Sequence, residues 1–251
     1  MNELRIEYMT SAEIGDAIAG GARTAILPLG AVEQHGRHLP LSMDADHADA
    51  LAVRVAHDLG GALVLPTVRV GYSPHHLGFP GTLSLRASTL EAICEDYSAH
   101  LAASGFERIV VFSGHIGNYP VMRDFELRLA DKLAPLSVIV FTDSEAILDA
   151  WRCAAEDVAS LGGNVGGHAD VAETSVMLAL HPDKVRVERF ARGYSGMVDK
   201  GLLDRAFREG IHSISPNGIL GDPAGASPSI GTVCLDAVTS LIVQHARARG
   251  A

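Results

Sequence analysis

The chain contains few cysteines, few aromatic residues and little positive charge. Its three cysteines, Cys94, Cys153 and Cys234, stand far apart and include no Cys-x-x-Cys pair, so we expect buried, reduced thiols. Aromatic residues make up 5% of the chain, and 20 Lys plus Arg face 30 Asp plus Glu, a formal net charge of -10. Such a chain repels phosphate backbones and lacks base-stacking surfaces, which argues against nucleic acid as a partner.

Long apolar runs, targeting signals and several common catalytic motifs are also missing. The charged start of the chain has no apolar signal core, and no run approaches the roughly twenty apolar residues that cross a bilayer. We therefore expect a cytoplasmic protein that does not bind membranes. The sequence has no Gly-x-Ser-x-Gly, no Gly-x-Gly-x-x-Gly and no P-loop Gly-Lys-Ser/Thr, so a serine α/β-hydrolase, a nicotinamide enzyme and a nucleotide hydrolase lack their usual signatures.

Branched apolar runs alternate with helix-period segments through the first two thirds of the chain. The 251 residues, 47% of them hydrophobic, suffice for one sizeable core, and we expect a single domain over 1–251. The alternation predicts an α/β fold with a parallel sheet covered by helices. Strands are predicted at 25–29, 62–65, 108–112 and 137–141, helices at 49–59, 88–104 (with a Ser88–Glu91 capping box), 119–133, 170–180 and 232–247, and loops at 161–167 and 213–229.

Polar side chains follow two of these strands directly. Glu33 and His35 come after the first strand; if this stretch is extended, they point to the same side, and Asp44 can return to them after the turn at Pro40. His115 comes directly after the strand at 108–112. Because ligands of open parallel sheets bind beyond the carboxyl ends of the strands, these residues are candidates for a functional site.

A third cluster combines a Gly-rich loop with a helix start, where His168 precedes Asp170 and Glu173. A set of two His, one Asp and two Glu drawn from these clusters suits zinc or another divalent transition metal. Five ligands imply two ions, which a carboxylate such as Asp44 could bridge. The spacing alone is a moderate signal, since no His-Glu-x-x-His motif is present.

Each candidate also has a purely structural interpretation. Glu33 and His35 could be solvated loop residues, and His115 could be a hydrogen-bonded core histidine. Asp170 and Glu173 have the spacing of an N-cap and N3 pair. The sequence leaves these alternatives open.

Two further ambiguities concern the acids and histidines of the helical segments. Asp46 competes with Asp44 as the ligand, and periodicity does not separate them. Four histidines in or beside helical patterns are expected to be exposed or packing residues rather than ligands: His47, His57, His100 and His245.

At these positions the sequence resembles the creatininase family of metal-dependent amidohydrolases. The matching segments occur in order along nearly the whole chain, which makes the resemblance far more specific than any one motif. They are 27–30, 33–36, 38–44, 73–82, 114–118, 168–175 and 218–223.

The resemblance implies a three-layer α/β/α domain, a homo-oligomer that is commonly a hexamer, and one or two divalent ions, Zn²⁺ first with Mn²⁺ and Fe²⁺ as alternatives. Asp44 would bridge the ions, which resolves its competition with Asp46. His168 would be the acid/base group, with Glu173 both a ligand and part of the catalytic site. Carried over by position, the ligands would be Glu33, His35, Asp44, His115 and Glu173, and Ser73 and His76 would line the substrate pocket.

The chain also departs from creatininases proper. Gly117 stands where they carry a glutamate ligand, so Glu173 must supply that carboxylate to a second ion. Arg37 stands where proline is usual and Ser113 where asparagine is usual. Trp151 is the only tryptophan, and the tryptophans that close over creatinine are not evident, so creatinine itself is not the expected substrate.

The leading functional hypothesis is hydrolysis of a C–N bond, other than a peptide bond, in a linear or cyclic amide of a small molecule. A metal-activated hydroxide would attack the carbonyl, and His168 would protonate the departing nitrogen. Alternatives within the family are a formylamino-pyrimidine nucleotide deformylase, for which Arg37, Arg69 and Arg86 could bind phosphate, and a mycofactocin-type precursor peptidase. An alternative from another class is a non-catalytic small-molecule binding protein with a structural metal.

Overall fold

The centre of the molecule is a sheet of four parallel strands in the order β2-β1-β3-β4. The structure, a computed structural model, describes residues 3–196 and 198–251. The strands are β1 (Thr24–Leu29), β2 (Ala62–Val64), β3 (Arg108–Ser113) and β4 (Ser137–Val140). Every residue of β1 is buried, as expected for a central parallel strand covered on both faces. The strand predictions are confirmed to within a residue at each end.

Helices form the two outer layers of a three-layer α/β/α arrangement, as predicted. The described residues include α1 (Ser11–Ala19), α2 (Met43–Leu59), α3 (Ala87–Ser104), α4 (Tyr119–Lys132), α5 (Ser144–Ala159), α6 (Val171–Leu180), α7 (Lys200–Glu209) and α8 (Pro228–Ala248). One group contains α3 packed against α4, and the other contains α2, α5, α6 and α8 packed against one another. Each group buries its apolar face against the sheet or a neighbouring helix.

A small second sheet pairs β5 (Val165–His168) with β6 (Leu220–Gly221) in antiparallel fashion. The loop predicted at 161–167 is therefore wrong for its last three residues. Gly166 explains the error, because a Cβ at this position would lie 2.5 Å from the backbone of Leu220. The glycines that indicated a loop instead allow two strands to approach closely, and β5 ends at His168.

Helix α2 begins at Met43, six residues before the predicted start at 49. Residues 43–48 are all buried, although they include Asp44, Asp46 and His47, so they carry no apolar periodicity for a sequence pattern to detect. The two acids lie in the first turn, where the positive end of the helix dipole stabilises them. Asp44 therefore reaches the site from the start of a helix rather than from a returning loop.

The predicted capping box at the start of α3 does not form. The helix begins at Ala87, and the N-cap is Arg86, whose side chain makes no capping hydrogen bond. The backbone carbonyl of Arg86 accepts hydrogen bonds from the backbone N–H groups of Thr89 and Leu90, which places Ser88 inside the first turn. The end of the helix is as predicted, at the left-handed Gly105.

Helix α8 is long and apolar enough to cross a membrane by length and composition alone. The expectation that no apolar run approaches the length needed to cross a bilayer is therefore wrong for α8. Half of its most apolar window is buried, and the helix packs against α2, α5 and α6. The apolar face of α8 is thus used in the protein core.

Candidate metal centre

The ends of two central strands and the first turns of two helices bring five polar side chains to one point. Glu33 and His35 follow β1, His115 follows β3, Asp44 lies in the first turn of α2, and Glu173 lies in the first turn of α6. All five side chains are buried. The structure therefore places the five predicted ligands in one cluster beyond the carboxyl end of the sheet.

Asp44 lies between the two imidazoles of the cluster. Its Oδ1 is 3.2 Å from His35 Nε2, and its Oδ2 is 3.4 Å from His115 Nδ1. On one side Glu33 Oε1 is 3.3 Å from His115 Nδ1, and on the other Glu173 Oε2 is 3.6 Å from His35 Nε2. The two oxygens of Asp44 thus face two different groups of donor atoms, the arrangement that a bridging carboxylate requires.

Several atoms at the centre of this cluster are buried without a hydrogen-bond partner. They include both carboxylate oxygens of Glu33, Oδ2 of Asp44 and Nε2 of His35. Unpaired polar atoms in a protein interior are rare and unfavourable, so each one needs an explanation. Carboxylate oxygens and imidazole nitrogens with free lone pairs are the ligands of divalent transition metals, and the donor set fits such an ion.

Hydrogen bonds on the far side of each ring orient the two imidazoles. His35 Nδ1 lies 3.2 Å from the backbone carbonyl oxygen of Glu33, and His115 Nε2 lies 3.3 Å from the carbonyl oxygen of Tyr72. Since a carbonyl only accepts, these two nitrogens carry the ring protons. Nε2 of His35 and Nδ1 of His115 face the cluster and would present lone pairs to a bound metal. Without a metal, burial disfavours a charge on His35, but the charges of Asp44 and Glu173 overcome burial and raise the pKa of His35 to about 10.

Burial shifts the ionisation of the acids in the cluster. Burial, reinforced by the nearby charge of Asp44, raises the pKa of Glu33 well above its ordinary value. Burial is also the main reason that the pKa of Glu173 is raised to about 8, against an opposing effect of His35. Three carboxylates packed together without a compensating cation repel one another, and a bound cation would remove this repulsion.

A second ring of polar groups surrounds Glu33. The Gln34 amide nitrogen lies 3.0 Å from His76 Nδ1 and 3.1 Å from the carbonyl oxygen of Gly218. His168 Nε2 donates to the backbone carbonyl of Gln34 at 2.8 Å, so its Nδ1 is unprotonated and lies 3.7 Å from Glu33 Oε1. His76 Nε2 lies 3.4 Å from the same Glu33 oxygen.

A cavity of about 100 Å³ opens onto the cluster. Its polar lining includes Glu33, Asp44, His115, His168 and Glu173, and most of the remaining lining residues are apolar. A larger surface cavity of about 670 Å³ shares Gly166 and Val198 with it but contains none of the clustered carboxylates and imidazoles. Chemistry that needs these groups therefore belongs to the smaller cavity.

Residues 7–246 match the family model of creatininase, described as creatinine amidohydrolase. The chain is 32% identical over 212 residues to a mycofactocin precursor peptide peptidase of Mycolicibacterium smegmatis, covering 82% of this chain and 77% of that protein. It is 33% identical over 196 residues to a creatinine amidohydrolase of Pseudomonas putida, covering 72% of this chain and 73% of that protein. The chain belongs to the creatininase family.

Solved structures agree with this assignment. A structure titled "Creatininase Mn" superposes with a TM-score of 0.76 and 27% identity, covering 97% of this chain and 98% of that one. A mutant creatininase described as the Zn-Zn type superposes with a TM-score of 0.72, 27% identity and the same coverage. The predictions of the family, of the fold and of a metal-dependent hydrolase acting on C–N bonds other than peptide bonds are thereby confirmed.

Gly117 occupies the position at which creatininases proper were expected to carry a glutamate. A Cβ at Gly117 would lie 2.2 Å from His115 Nε2 and 2.7 Å from His75 Cε1. The His75 ring stacks on that of His115, with ring centres 5.6 Å apart. In this chain, two imidazoles therefore fill the space that a side chain at Gly117 would enter.

Asp46, the competing acid, lies outside the cluster. Its carboxylate accepts hydrogen bonds from Arg69, Lys184 and Ser42. Burial raises the pKa of Asp46, but these donors outweigh burial and hold it below its ordinary value. The geometry therefore separates the two acids that sequence periodicity could not.

The purely structural interpretation holds for Asp170 but not for Glu173. Asp170 is the N-cap of α6 and accepts from the backbone N–H groups of Ala172 and Glu173, as the capping interpretation predicted. The Glu173 carboxylate does not complete a capping box; it accepts from the Ala169 N–H and faces His35.

The four histidines of the helical segments behave as expected from the sequence: His57 and His100 are exposed, and His47 and His245 pack against other residues.

Sequence reasoning did not single out Gln34 or His75, both of which lie at the site. Strict alternation puts Gln34 on the opposite side from Glu33 and His35, yet its amide reaches His76 because 33–36 is not a regular strand. His75 lies in the short 3-10 turn Pro74–His76, and its buried Nδ1 has no hydrogen-bond partner. The pair of adjacent histidines was the only signal available for it.

Proposed function

We propose that this protein hydrolyses the C–N bond of a small-molecule amide, using a divalent metal held by Glu33, His35, Asp44, His115 and Glu173. The observation that carries the proposal is the convergence of buried carboxylate oxygens and an imidazole nitrogen that have no hydrogen-bond partner. When bound, a divalent cation supplies Lewis acidity towards a carbonyl and a nucleophilic water. Asp44 is the bridging ligand if two ions bind, because its two oxygens face different imidazoles.

His168 is the group that moves the proton in this proposal. Its Nε2–H is held by the Gln34 carbonyl, so the unprotonated Nδ1 faces the cavity side of Glu33. Burial is the main reason that the pKa of His168 lies well below its ordinary value. A neutral imidazole in this position accepts a proton from the attacking water and delivers it to the departing nitrogen.

Ser73 and His76 take positioning roles in the same proposal. Ser73 is fully buried, and its Oγ lies 3.1 Å from His115 Nε2, which supports that imidazole from behind. His76 lines the cavity and accepts from the Gln34 amide through Nδ1, which leaves its Nε2–H directed at Glu33. His76 therefore lies 3.4 Å from a carboxylate oxygen of the ligand Glu33 and forms a wall of the substrate pocket.

Zn²⁺ is the proposed metal, with Mn²⁺ and Fe²⁺ as alternatives, because the mixture of imidazole and carboxylate ligands suits all three. The solved relatives named for manganese and for zinc support this choice. We further propose a homo-oligomer, a hexamer by resemblance to the family, in the cytoplasm. The acidic balance of the chain supports a protein that binds neither nucleic acid nor anionic membranes.

The direct test compares hydrolysis of an amide panel by protein purified without chelators, by protein treated with a chelator, and by the chelated protein after Zn²⁺ or Mn²⁺ is restored. Activity should vanish on chelation and return with metal. His168→Ala should lower kcat by about a hundredfold or more while keeping the metal. His57→Ala, at an exposed histidine of α2, is the matched control and should be unaffected. Activity that survives both chelation and His168→Ala would reject the proposal.

A peptide substrate is the second candidate, as in the similar mycofactocin precursor peptide peptidase. The observation that favours it is the outer cavity of about 670 Å³, which adjoins the catalytic cavity at Gly166 and Val198 and offers room for a longer chain. Hydrolysis of short peptides, with no cleavage of small amides, would favour this candidate over the first.

A phosphorylated nucleotide substrate finds less support. Of the three arginines considered for a phosphate, Arg69 pairs with Asp46, and Arg37 and Arg86 are exposed residues outside the cavity wall. A non-catalytic protein with a structural metal is also less well supported, since structural sites seldom combine this many carboxylates.

A further inference from the structure

The cavity at the cluster has two chemically distinct kinds of lining residue. Some are the clustered carboxylates and imidazoles, and most of the others are apolar side chains from α5, α7, β6 and the turns after β3 and α7. The apolar wall includes Ile116, Leu148, Trp151, Phe207, Ile211 and Leu220. Among the lining side chains that the structure describes, none is Lys or Arg.

Phe207 and Trp151 are the aromatic side chains of this apolar wall. Phe207 lies on α7 with its ring centre 4.2 Å from that of His75, so it packs against the 3-10 turn. Trp151 is buried on α5, with its indole 5.9 Å from the His47 ring. Leu148 lies one turn before Trp151, and its Cδ2 lies 3.0 Å from the Cβ position of Gly167, next to His168. The apolar wall therefore begins directly beside the catalytic groups.

The size of the cavity limits what can occupy it. Its volume is about 100 Å³, and apolar cavities on the order of 150 Å³ accept one benzene molecule. A single aromatic ring or a branched aliphatic group matches this space. A phosphate or carboxylate held against the apolar walls would lose its hydration and find no Lys or Arg among the described lining residues to pair with.

On the basis of the proposed function, we infer that this site selects amides in which the group beside the scissile C–N bond is compact, uncharged and apolar. Phe207 and Leu148 determine this specificity. An apolar group of this kind packs against the wall and removes apolar surface from water. An anionic group placed against this wall would lose its hydration with no Lys or Arg among the described lining residues to pair with it. The substrate class is therefore an apolar amide, in contrast to a phosphorylated one.

Trp151 provides a probe for this inference, because it is the only tryptophan of the chain and it lines the cavity. Zinc-loaded protein would be titrated with N-acetyl-phenylalaninamide, N-acetyl-glycinamide and N-acetyl-phosphoserinamide while Trp151 fluorescence is followed. The phenylalanine compound should bind at least about tenfold more tightly than the glycine compound, and the phosphoserine compound should give no saturable change. Equal affinities, no binding of the phenylalanine compound, or a preference for phosphoserine would overturn the inference.

Two variants test the residues named. Phe207→Ala should weaken binding of the phenylalanine compound about fivefold or more and leave the glycine compound unchanged. Leu148→Lys should permit saturable binding of the phosphoserine compound. Leu127→Ala, at a side chain of α4 that is 79% exposed, is the control and should alter none of these affinities. If Phe207→Ala behaves like Leu127→Ala and Leu148→Lys like the unsubstituted protein, these side chains do not set the specificity.

Hydrolysis of the same three compounds separates the inference from the proposed function. If the phenylalanine compound binds selectively but none of the three is hydrolysed, the proposed amide hydrolysis fails for this substrate class and the apolar selectivity stands. If all three are hydrolysed with equal kcat/KM, the amidohydrolase stands and the selectivity is wrong.

Discussion

At the scale of single residues, the candidate site is defined by atoms that lack partners. Glu33 is fully buried with both oxygens unpaired, and Asp44 keeps one oxygen unpaired between two imidazoles. Asp46, two residues away, has three donors and no unpaired oxygen. Neighbouring acids of one helix turn thus have different surroundings: Asp44 faces the cluster, whereas Asp46 is paired with basic side chains.

The first prediction concerns Glu33→Gln. The substitution keeps the size of the side chain but removes its charge, so we expect the affinity for Zn²⁺ to fall about tenfold or more. Because the charged group is buried among other acids, the metal-free variant should be at least as stable as the metal-free parent. Competition titration against a zinc-binding dye measures the affinity, and chemical denaturation measures the stability.

Asp46→Asn is the matched control for this prediction. It removes one charge from the same region but breaks only the pairing with Arg69 and Lys184, both of which are partly exposed. We expect a loss of about 1 kcal/mol of stability or less and an unchanged zinc affinity. Equal losses of zinc affinity in the two variants would mean that Glu33 is not a ligand.

At the scale of secondary-structure elements, the position of α2 depends on two glycines that end central strands. A Cβ at Gly30 would lie 2.4 Å from Ala45 Cα, and one at Gly114 would lie 2.4 Å from the carbonyl oxygen of Asp44. These contacts are with backbone, which cannot rotate away. The absence of side chains at both positions lets the first turn of α2 reach the strand ends and place Asp44 between His35 and His115.

The second prediction follows from this packing. Gly114→Ala should displace the start of α2, lower stability by about 1–3 kcal/mol and weaken zinc binding. Gly15→Ala is the control, because a Cβ at Gly15 in α1 meets no atom within 4 Å. It should be neutral or stabilise by up to about 1 kcal/mol. Thermal denaturation and zinc titration of both proteins check this, and a Gly114→Ala protein as stable as Gly15→Ala would contradict it.

The third prediction concerns the cap of α6. Asp170 accepts four backbone hydrogen bonds, from Gly166, Gly167, Ala172 and Glu173, and is fully buried. Asp170→Ala leaves these donors unpaired and should lower the free energy of unfolding by about 3 kcal/mol or more. It should also weaken zinc binding, because Glu173 lies in the turn that Asp170 caps.

Asp143→Ala is the control for the cap. Asp143 caps α5 through a single bond from the exposed Ala146 N–H, so its loss should lower stability by only about 1 kcal/mol. Chemical denaturation compares the two. Equal losses would show that the buried cap of α6 has no special role.

The sequence predicts best those strands and helices whose apolar pattern reflects burial in the core alone. The strands β1 and β3 are continuous apolar runs, and their ends correctly located Glu33, His35 and His115. The start of α2 was missed because Asp44, Asp46 and His47 interrupt the apolar pattern of its buried first turns. β5 was missed because its glycines serve close strand pairing, and α1, α5 and α7 were not singled out.

The candidate ligand set could be predicted only because the family resemblance distinguished between residues that hydrophobic periodicity does not separate. Spacing could not choose between Asp44 and Asp46, since both lie in a segment without apolar alternation. Contacts that join distant segments, such as Gln34 with Gly218 or His75 with Phe207, leave no local signal in the sequence. These contacts form the walls and the outer hydrogen bonds of the site. The substrate class could therefore be inferred only from the structure.

At the scale of the whole molecule, an acidic chain of formal charge -10 concentrates three carboxylates at one buried point. The central sheet and one of the two outer layers contribute to that point, since the cluster draws on β1, β3 and two helices of the same group, α2 and α6. A cation bound there stabilises the folded state alone, because the unfolded chain does not assemble the ligands. Metal binding and folding are therefore linked.

The fourth prediction is the thermal consequence of this linkage. Zn²⁺ at a hundred times its dissociation constant should stabilise the fold by about 2.7 kcal/mol, which corresponds to a rise in Tm of about 5–10 °C for a chain of this size. Calorimetry of the chelated protein with and without added Zn²⁺ measures the shift. The Asp44→Asn protein should show a much smaller one.

The most direct test of the metal centre is elemental analysis of the protein purified without chelators and after exposure to Zn²⁺, Mn²⁺ or Fe²⁺ followed by desalting. The structure predicts about one to two tightly held ions per chain, and a Glu33→Gln/Asp44→Asn double variant that retains almost none. A folded parent protein that retains no metal under any of these conditions, or a double variant that binds as much as the parent, would contradict the assignment of this cluster as a metal centre.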